Sequence, residues 1–158
     1  MFQGSLPSVS AAVGAAQCGA ICWRMHLGQV QILLITSRDT GRWVIPKGWA
    51  IDGRTHAQTA AQEAWEEAGA EGEIGELCLG NFPYDKVLSP NKSLPCEVEV
   101  FGLRVTRLAK KFPERKERRR KWFSAKVAAR KVNEPGLRAL LGALPDYLAP
   151  QSGAEAGR

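Results

Sequence analysis

No stretch of this 158-residue chain approaches the ~20 consecutive apolar residues of a membrane span, and no membrane segment is expected. No basic patch followed by an apolar core stands near the N-terminus, so a signal peptide is not expected either. Cysteine is scarce. The four present, Cys18, Cys22, Cys78 and Cys96, form neither a CxxC pair nor a zinc spacing. That argues against a disulfide framework and a zinc site, and places Cys18 and Cys22 as reduced core residues on one strand face. Histidine is scarcer still, and neither His26 nor His56 carries the partner pattern of a ligand. Internal repeats are absent, and low complexity is confined to the tail after Pro150. With 44% hydrophobic residues the chain can bury a sizeable core as one domain. A cytoplasmic protein is the expectation. Acidic residues are outnumbered 16 to 22 by Lys and Arg, and the net charge of +6 favours anionic partners without naming one.

What is present centres on Pro46 to Gly69, PKGWAIDGRTHAQTAAQEAWEEAG. The spacing predicts a glycine-bearing loop followed by one helix. Thr55 suits the N-cap, Gln58 completes a capping box, and Gly69 suits the position past the C-terminus. Ala57, Ala60, Ala61, Ala64 and Ala68 fall on one stripe, which lets a neighbouring element approach closely. Glu63, Glu66 and Glu67 fall on the opposite side. As an ordinary solvated face this side is poorly made. Glu63/Glu67 and Glu67/Glu71 are like-charge i,i+4 pairs, each costing roughly 0.2–0.5 kcal/mol. The last turn of a helix favours cations, and no Lys or Arg lies three or four residues away. The cluster therefore calls for a divalent cation, and an all-oxygen set selects Mg²⁺ or Mn²⁺ over zinc.

Around this helix the chain alternates in short elements. Apolar runs predict strands over Cys18 to Met25, Val30 to Ile35 and Arg42 to Ile45, with turns at His26–Gly28 and Arg38–Gly41. Glu73 to Phe82 predicts a strand interrupted by glycine, and Pro83 to Pro95 a polar loop long enough to rim a pocket. Cys96 to Leu108 alternates well and predicts a strand. Ser124 caps a short helix through Val127 and Ala128. Pro135 then opens a last helix with Leu137, Leu140, Leu141 and Leu144 as its core stripe. The expected boundaries are a loose arm over 1–17, a domain over 18–148 and a loose tail over 149–158.

Lys110 to Lys121, KKFPERKERRRK, is the second informative stretch, with only Glu114 and Glu117 among its cations. It reads either as a solvated basic loop or as a clamp for a substrate with many phosphates, whose oxygens match Arg and Lys. Nucleic-acid readers interleave aromatics for stacking, whereas here Phe112 and Trp122 stand only at the edges. The sequence therefore offers no strong sign of nucleic-acid binding. Arg42, Lys47 and Arg54 are further candidates for phosphate contacts. Trp43 and Trp49 are open between stacking on a base and filling the core.

The pattern Gly48…Glu63-Ala64-x-Glu66-Glu67-x-Gly69-Ala70 resembles the Nudix box. Arg54 and Gln62 depart from it, standing where the box has a glutamate and an arginine, a paired loss that reads as a compensated exchange. The resemblance implies an α+β Nudix fold, a mixed sheet sandwiched between helices (α/β/α). It also implies metal held by Glu63, Glu66 and Glu67, by a backbone carbonyl at Lys47–Gly48, and by a glutamate before the last strand. For the last, Glu117 fits best by spacing and Glu114 is second. RWVIPKGW, EAWEEAG and RRRKWFSAKVAARKV with the terminal helix are similar to the diphosphoinositol and diadenosine polyphosphate phosphohydrolase branch. That similarity implies Mg²⁺- or Mn²⁺-dependent hydrolysis of a phosphoanhydride in a small, highly phosphorylated molecule, with catalytic Glu63, Glu66, Glu67 and Glu117 and substrate contacts from Arg42, Lys47, Gly48 and Arg54. A cation held there would neutralise the anhydride oxygens and acidify water. Two other readings stay open: a pyrophosphatase of nucleoside triphosphates or other nucleoside diphosphate derivatives, and a non-catalytic module binding phosphorylated ligands or RNA.

Overall fold

A computed structural model describes residues 16–156, with side chains through 148. The arm expected over 1–17 lies outside the described residues except for Ala16 and Gln17. Of the tail expected over 149–158, the backbone is described through Ala156, as helix. Among the described residues no helix is long and apolar enough to cross a membrane.

Eight strands form one mixed sheet. In chain order the elements are β1 (Ala16–His26), β2 (Gln29–Thr36), β3 (Trp43–Val44), β4 (Lys47–Trp49), α1 (His56–Ala68), β5 (Ala70–Ile74), β6 (Gly80–Ser89), β7 (Lys92–Leu108), β8 (Arg120–Ser124), α2 (Ala125–Lys131) and α3 (Pro135–Ala156). The central path runs β3-β2-β1-β7-β5, with β4 paired to β1, β6 to β7 and β8 to β2. β1 and β7 are parallel and every other pairing is antiparallel. Both central strands are long enough to serve two partners on one edge. β4 pairs with Gln17–Gly19 of β1, while β2 pairs with Cys22–His26.

Alternation along β1 separates two cores. Cys18, Ala20 and Cys22 face α1, packing with Ala57, Ala60, Ala64 and Ala68. Ile21 faces the other way, toward α2 and α3, with Phe82, Phe123, Leu137 and Leu141. The sheet thus lies between α1 and the α2–α3 pair, the α/β/α arrangement expected. Cys18 and Cys22 share one buried face and are free thiols. Desolvation pushes Cys18 up to about 11 and Cys22 up to about 12, so both stay protonated at neutral pH.

Three expectations are corrected. Residues 83–95 are not a loop: β6 and β7 form a hairpin across a two-residue turn at Pro90–Asn91. Pro83 is accommodated because β6 is an edge strand, pairing only with β7 among the described residues. Pro95 is accommodated because it precedes the stretch of β7 that pairs with β1, which begins at Glu97 among the described residues. Neither position needs a ladder N–H on its outer side. The strand expected over Glu73 to Phe82 is instead the end of β5 and the start of β6, joined by an irregular 75–79. On α1, Ala61 is only half-buried, and Thr59 takes its place in the packed stripe, its hydroxyl accepting from the Ile51 N–H at 3.3 Å.

Candidate active site

α1 forms where its caps dictate. The Thr55 hydroxyl accepts from the Gln58 N–H at 3.0 Å, and the Gln58 carboxamide accepts from the Thr55 N–H at 2.9 Å. Gly69 ends the helix at φ 65, and a Cβ there would also lie 2.4 Å from Phe112. Glycine is required on both counts. These caps fix the axial position of the three glutamates relative to β4.

The three carboxylates do not all lie away from the packed side of the helix, where the sequence pattern places them. Glu67 is buried, 8% exposed, and accepts from the Lys47 N–H at 3.3 Å. The Glu63 carboxyl lies in hydrogen-bonding reach of Glu67 and against Gly48. A Cβ at Gly48 would sit 2.4 Å from the Glu63 carboxyl carbon, so this glycine is needed for room. Glu66 is held at its outer edge by the Gln62 amide, which donates at 2.6 Å. Burial raises the Glu63 carboxyl and pushes Glu67 up to about 8, with Arg118 opposing the rise on both.

The glutamate that joins this group is Glu114. Its N–H donates to the Glu66 carbonyl at 3.0 Å. Arg118 donates from Nε to Glu114 at 2.8 Å and lies 3.6 Å from Glu67. Glu117, favoured by spacing, pairs instead with Arg38 at 3.0 Å, both about half exposed. The reason is a turn: the Glu117 N–H bonds back to the Glu114 carbonyl, carrying residue 117 outward while residue 114 lies on the end of α1.

The basic segment is not one uniform clamp. Arg118 is internal, at 9% side-chain exposure. Arg120 donates to the Ala68 carbonyl at 2.8 Å, a cation on the negative end of α1, and its guanidinium lies over Phe112. Arg119 lies over Trp43, which packs edge-on against Phe123. Trp43 is therefore partly core, while Trp49 is 42% exposed. Lys110, Lys111, Arg115 and Lys116 remain exposed, free to meet a polyanion.

Beside the carboxylates, on the opposite face of β4, lies a cationic recess. The Lys47 ammonium sits 4.3 Å from the Tyr84 ring centroid and makes no ion pair among the described residues. Desolvation lowers it to about 8, against a pull upward from Glu67 and Glu134. Arg42 pairs with Glu134 at 3.1 Å, and its other terminal nitrogen is buried without a partner among the described residues. An orphaned guanidinium donor fits a ligand oxygen. Arg42, Tyr84, Asn133 and Glu134 line a pocket of about 410 Å³. Tyr84 and Glu134 carried no sequence signal, since the hairpin and the α2–α3 junction bring them here. Arg54 is exposed and lies elsewhere, lining a recess on the far flank of α1 with Gln58, Gln62 and Trp65. The two departures from the box thus share one recess, and of the two only Gln62 also touches a carboxylate, that of Glu66. His56 is on the surface too, its Nδ1 meeting Glu99.

The donor chemistry fits a hard cation: Glu63, Glu66, Glu67 and Glu114 supply only oxygen, and the space at Gly48 opens on Glu63. Among the described residues no three acidic, His or Cys side chains are already drawn together as an ion-holding set. The carboxylates are turned onto the Lys47 N–H, Arg118 and Gln62 instead.

Fold and site define a class: a mixed sheet between helices, offering helix-borne carboxylates and strand-borne cations to an anionic ligand. The NUDIX domain family model matches residues 17–143, and the chain belongs to the Nudix family. It is 33% identical over 105 residues to the mitochondrial Nudix hydrolase 12 of Arabidopsis thaliana, covering 65% of this chain and 52% of that protein. It is 28% identical over 114 residues to diphosphoinositol polyphosphate phosphohydrolase 3-beta of Bos taurus, covering 71% of this chain and 65% of that one. The chain thus spans about half to two thirds of the length of the curated relatives it matches. Among solved structures, a binary complex of the C. elegans Ap4A hydrolase superposes with TM-score 0.64 at 21% identity, covering 86% of this chain and 98% of that one. The E. coli dihydroneopterin triphosphate pyrophosphohydrolase superposes with TM-score 0.65 at 16% identity, covering 84% and 95%. At these identities the likeness is one of fold.

Proposed function

We propose that this protein hydrolyses a phosphoanhydride bond in a small, highly phosphorylated substrate, a dinucleoside polyphosphate or an inositol pyrophosphate, with Mg²⁺ or Mn²⁺ as cofactor. The observation that carries the reading is the juxtaposition across β4: carboxylates on one face and an unpaired ammonium with an orphaned guanidinium donor on the other. Glu63, Glu66, Glu67 and Glu114 hold the cation. When bound, the cation supplies charge neutralisation and acidifies water. Lys47 and Arg42 bind phosphate oxygens, and Arg118 holds Glu67 and Glu114 in place. Exposed Lys110, Lys111, Arg115 and Lys116 extend the positive field for a long polyphosphate. Phosphoryl transfer asks for positioning and charge stabilisation more than for covalent help, and these residues supply both.

The activities that name the diphosphoinositol polyphosphate phosphohydrolase relative and the Ap4A hydrolase fold neighbour agree with this substrate class. A second reading, hydrolysis of a nucleoside diphosphate derivative, draws on Tyr84 as an aromatic platform beside Lys47. It finds a parallel in a Shewanella oneidensis NUDIX domain solved with ADP ribose, at TM-score 0.63 and 13% identity. We propose a cytoplasmic location, a reading supported by four cysteines that have no disulfide or zinc spacing. Hydrolysis of diadenosine polyphosphates, an inositol pyrophosphate, nucleoside triphosphates and ADP ribose, with Mg²⁺ and with chelator, tests the proposal. Metal-dependent turnover rising with phosphate number is expected. Turnover confined to ADP ribose or a triphosphate moves the assignment to the second reading, and no metal-dependent turnover of any of them rejects both.

A further inference from the structure

Arg118 was one cation among many in the sequence, yet the fold gives it a place no other cation has. Among the described residues it is the only Lys, Arg or His whose side chain pairs with any of Glu63, Glu66, Glu67 and Glu114. Each guanidinium nitrogen has its own partner. Nε donates to Glu114 at 2.8 Å, one terminal nitrogen donates to the Thr36 carbonyl at 3.1 Å, and the other lies 3.6 Å from Glu67. The backbone beside it is tied to the end of β2. The Arg119 N–H donates to the Thr36 hydroxyl at 2.9 Å, and the Thr36 N–H donates to the Arg119 carbonyl at 3.0 Å. The cation is thus anchored on β2, away from the carboxylates it neutralises.

We propose that Arg118 is an internal counter-ion that tunes the divalent-metal affinity of the acidic cluster: it holds Glu67 and Glu114 in place without metal and opposes the incoming ion by like charge. The inference rests on the reading of the box carboxylates as cation ligands. Its physical content is a trade-off. A fixed unit charge against the ligand oxygens makes the potential well for a dication shallower, while its hydrogen bond to Glu114 and its ion-pair contact with Glu67 orient those oxygens. Removing the charge therefore tightens metal binding and loosens the ligands. A residue serving only as a strut weakens both together. Arg118 is a positioning residue on this account, acting through the glutamates.

The test is Mn²⁺ binding to the full chain without substrate, read by the electron paramagnetic resonance of free Mn²⁺, for the wild type, Arg118→Met and Arg118→Lys. Arg118→Met keeps the stem and removes the charge, and binds Mn²⁺ about tenfold or more tighter. Its kcat at saturating metal falls while KM changes little. Arg118→Lys keeps the charge and returns Mn²⁺ affinity to within about threefold of the wild type. Without metal, Arg118→Met melts lower than the wild type, and Mn²⁺ closes that gap. If Arg118→Met does not fold, Arg118→Gln is measured against the same criteria. Unchanged or weaker Mn²⁺ binding by the charge-removed variant overturns the proposal, as does a lysine variant that binds as tightly as the neutral one. Failure of the underlying reading looks different: the wild type itself binds no Mn²⁺, or Glu63→Gln binds it as the wild type does.

Discussion

The acidic flank of α1 and the basic segment before β8 are the two charge-dense stretches of the chain, and folding treats them alike. Each surrenders one member to the interior and leaves others outside. Glu67 is buried and Glu66 is not; the Arg118 side chain is only 9% exposed, whereas Lys110, Lys111, Arg115 and Lys116 are exposed. The buried members meet each other. They differ in how well they are satisfied. Every nitrogen of Arg118 has an oxygen partner, whereas Glu63, Glu66, Glu67 and Glu114 outnumber that one cation, and burial raises the carboxyls of Glu63 and Glu67. The inner cation is satisfied within the fold, and the acids it leaves unrelieved are the candidates to meet a ligand charge.

Breaking the acidic side should have the largest effect. Glu63→Gln and Glu67→Gln are each expected to lower kcat roughly 10²- to 10³-fold, the scale of losing one preorganised electrostatic contact, while the metal-free protein melts no lower. Near wild-type turnover from either would remove that residue from the site. Next comes Gly48→Ala, whose methyl needs the space of the Glu63 carboxyl. The side chain can swing aside, so the fold survives, and metal affinity should drop about 10- to 100-fold, as for other ligand-support positions. A calorimetric Mg²⁺ titration reads this directly, and unchanged affinity would free Glu63 of the role.

The difference in satisfaction also predicts a pH dependence. Glu67 titrates near 8 in the fold against an ordinary value of 4.5. Between those values the native state holds a proton the unfolded chain has lost, so metal-free stability falls as pH rises from about 4.5 to about 8. Metal competes with that proton, so the gain in Tm from Mg²⁺ should grow over the same range. A flat Mg²⁺ effect between pH 5 and 8 (on the scale of this shift) would contradict the assignment.

Lys47 is the counterpart on the other face of β4. Burial holds it near 8, below its ordinary 10.5, so its charged form costs stability at neutral pH. Lys47→Met should raise Tm and raise KM for polyphosphates together, and a variant that loses both stability and binding would show a structural role. The smallest effect is expected from neutralising Lys110, Lys111, Arg115 and Lys116 together: a KM increase of roughly 3- to 10-fold, larger for longer polyphosphates and erased by salt. Equal effects on all substrates would reduce them to a general field.

Much of this was legible in one dimension because the signals were local. Thr55, Gln58 and Gly69 bound α1 as expected, since a capping box and a left-handed terminus are satisfied within a few residues. Ser124 caps α2 and Pro135 opens α3 for the same reason. Residues 83–95 form a hairpin where the sequence suggests a loop, because prolines resemble loop chemistry until they are known to lie where no outer ladder bond is needed, while the strand expected over Cys96 to Leu108 is present. Spacing favours Glu117 over Glu114 because spacing alone cannot show a turn that reverses which residue faces the helix end. Arg54 was placed at the phosphates because it stands within the box, but it falls on the far flank of α1.

By itself the sequence determined which segments are helix or strand wherever caps and periodicity agree, and which residue types could meet a polyphosphate. Those properties depend on neighbours within a few residues, where backbone hydrogen bonds and sterics act. Only the tertiary structure decided that Glu67 goes under while Glu66 stays out, that Glu114 and Arg118 reach it, and that Tyr84 and Glu134 surround Lys47 and Arg42. Each of these depends on burial and on charges brought together across the sheet. Desolvation and Coulomb energy depend on distance in space, and sequence spacing carries no measure of it.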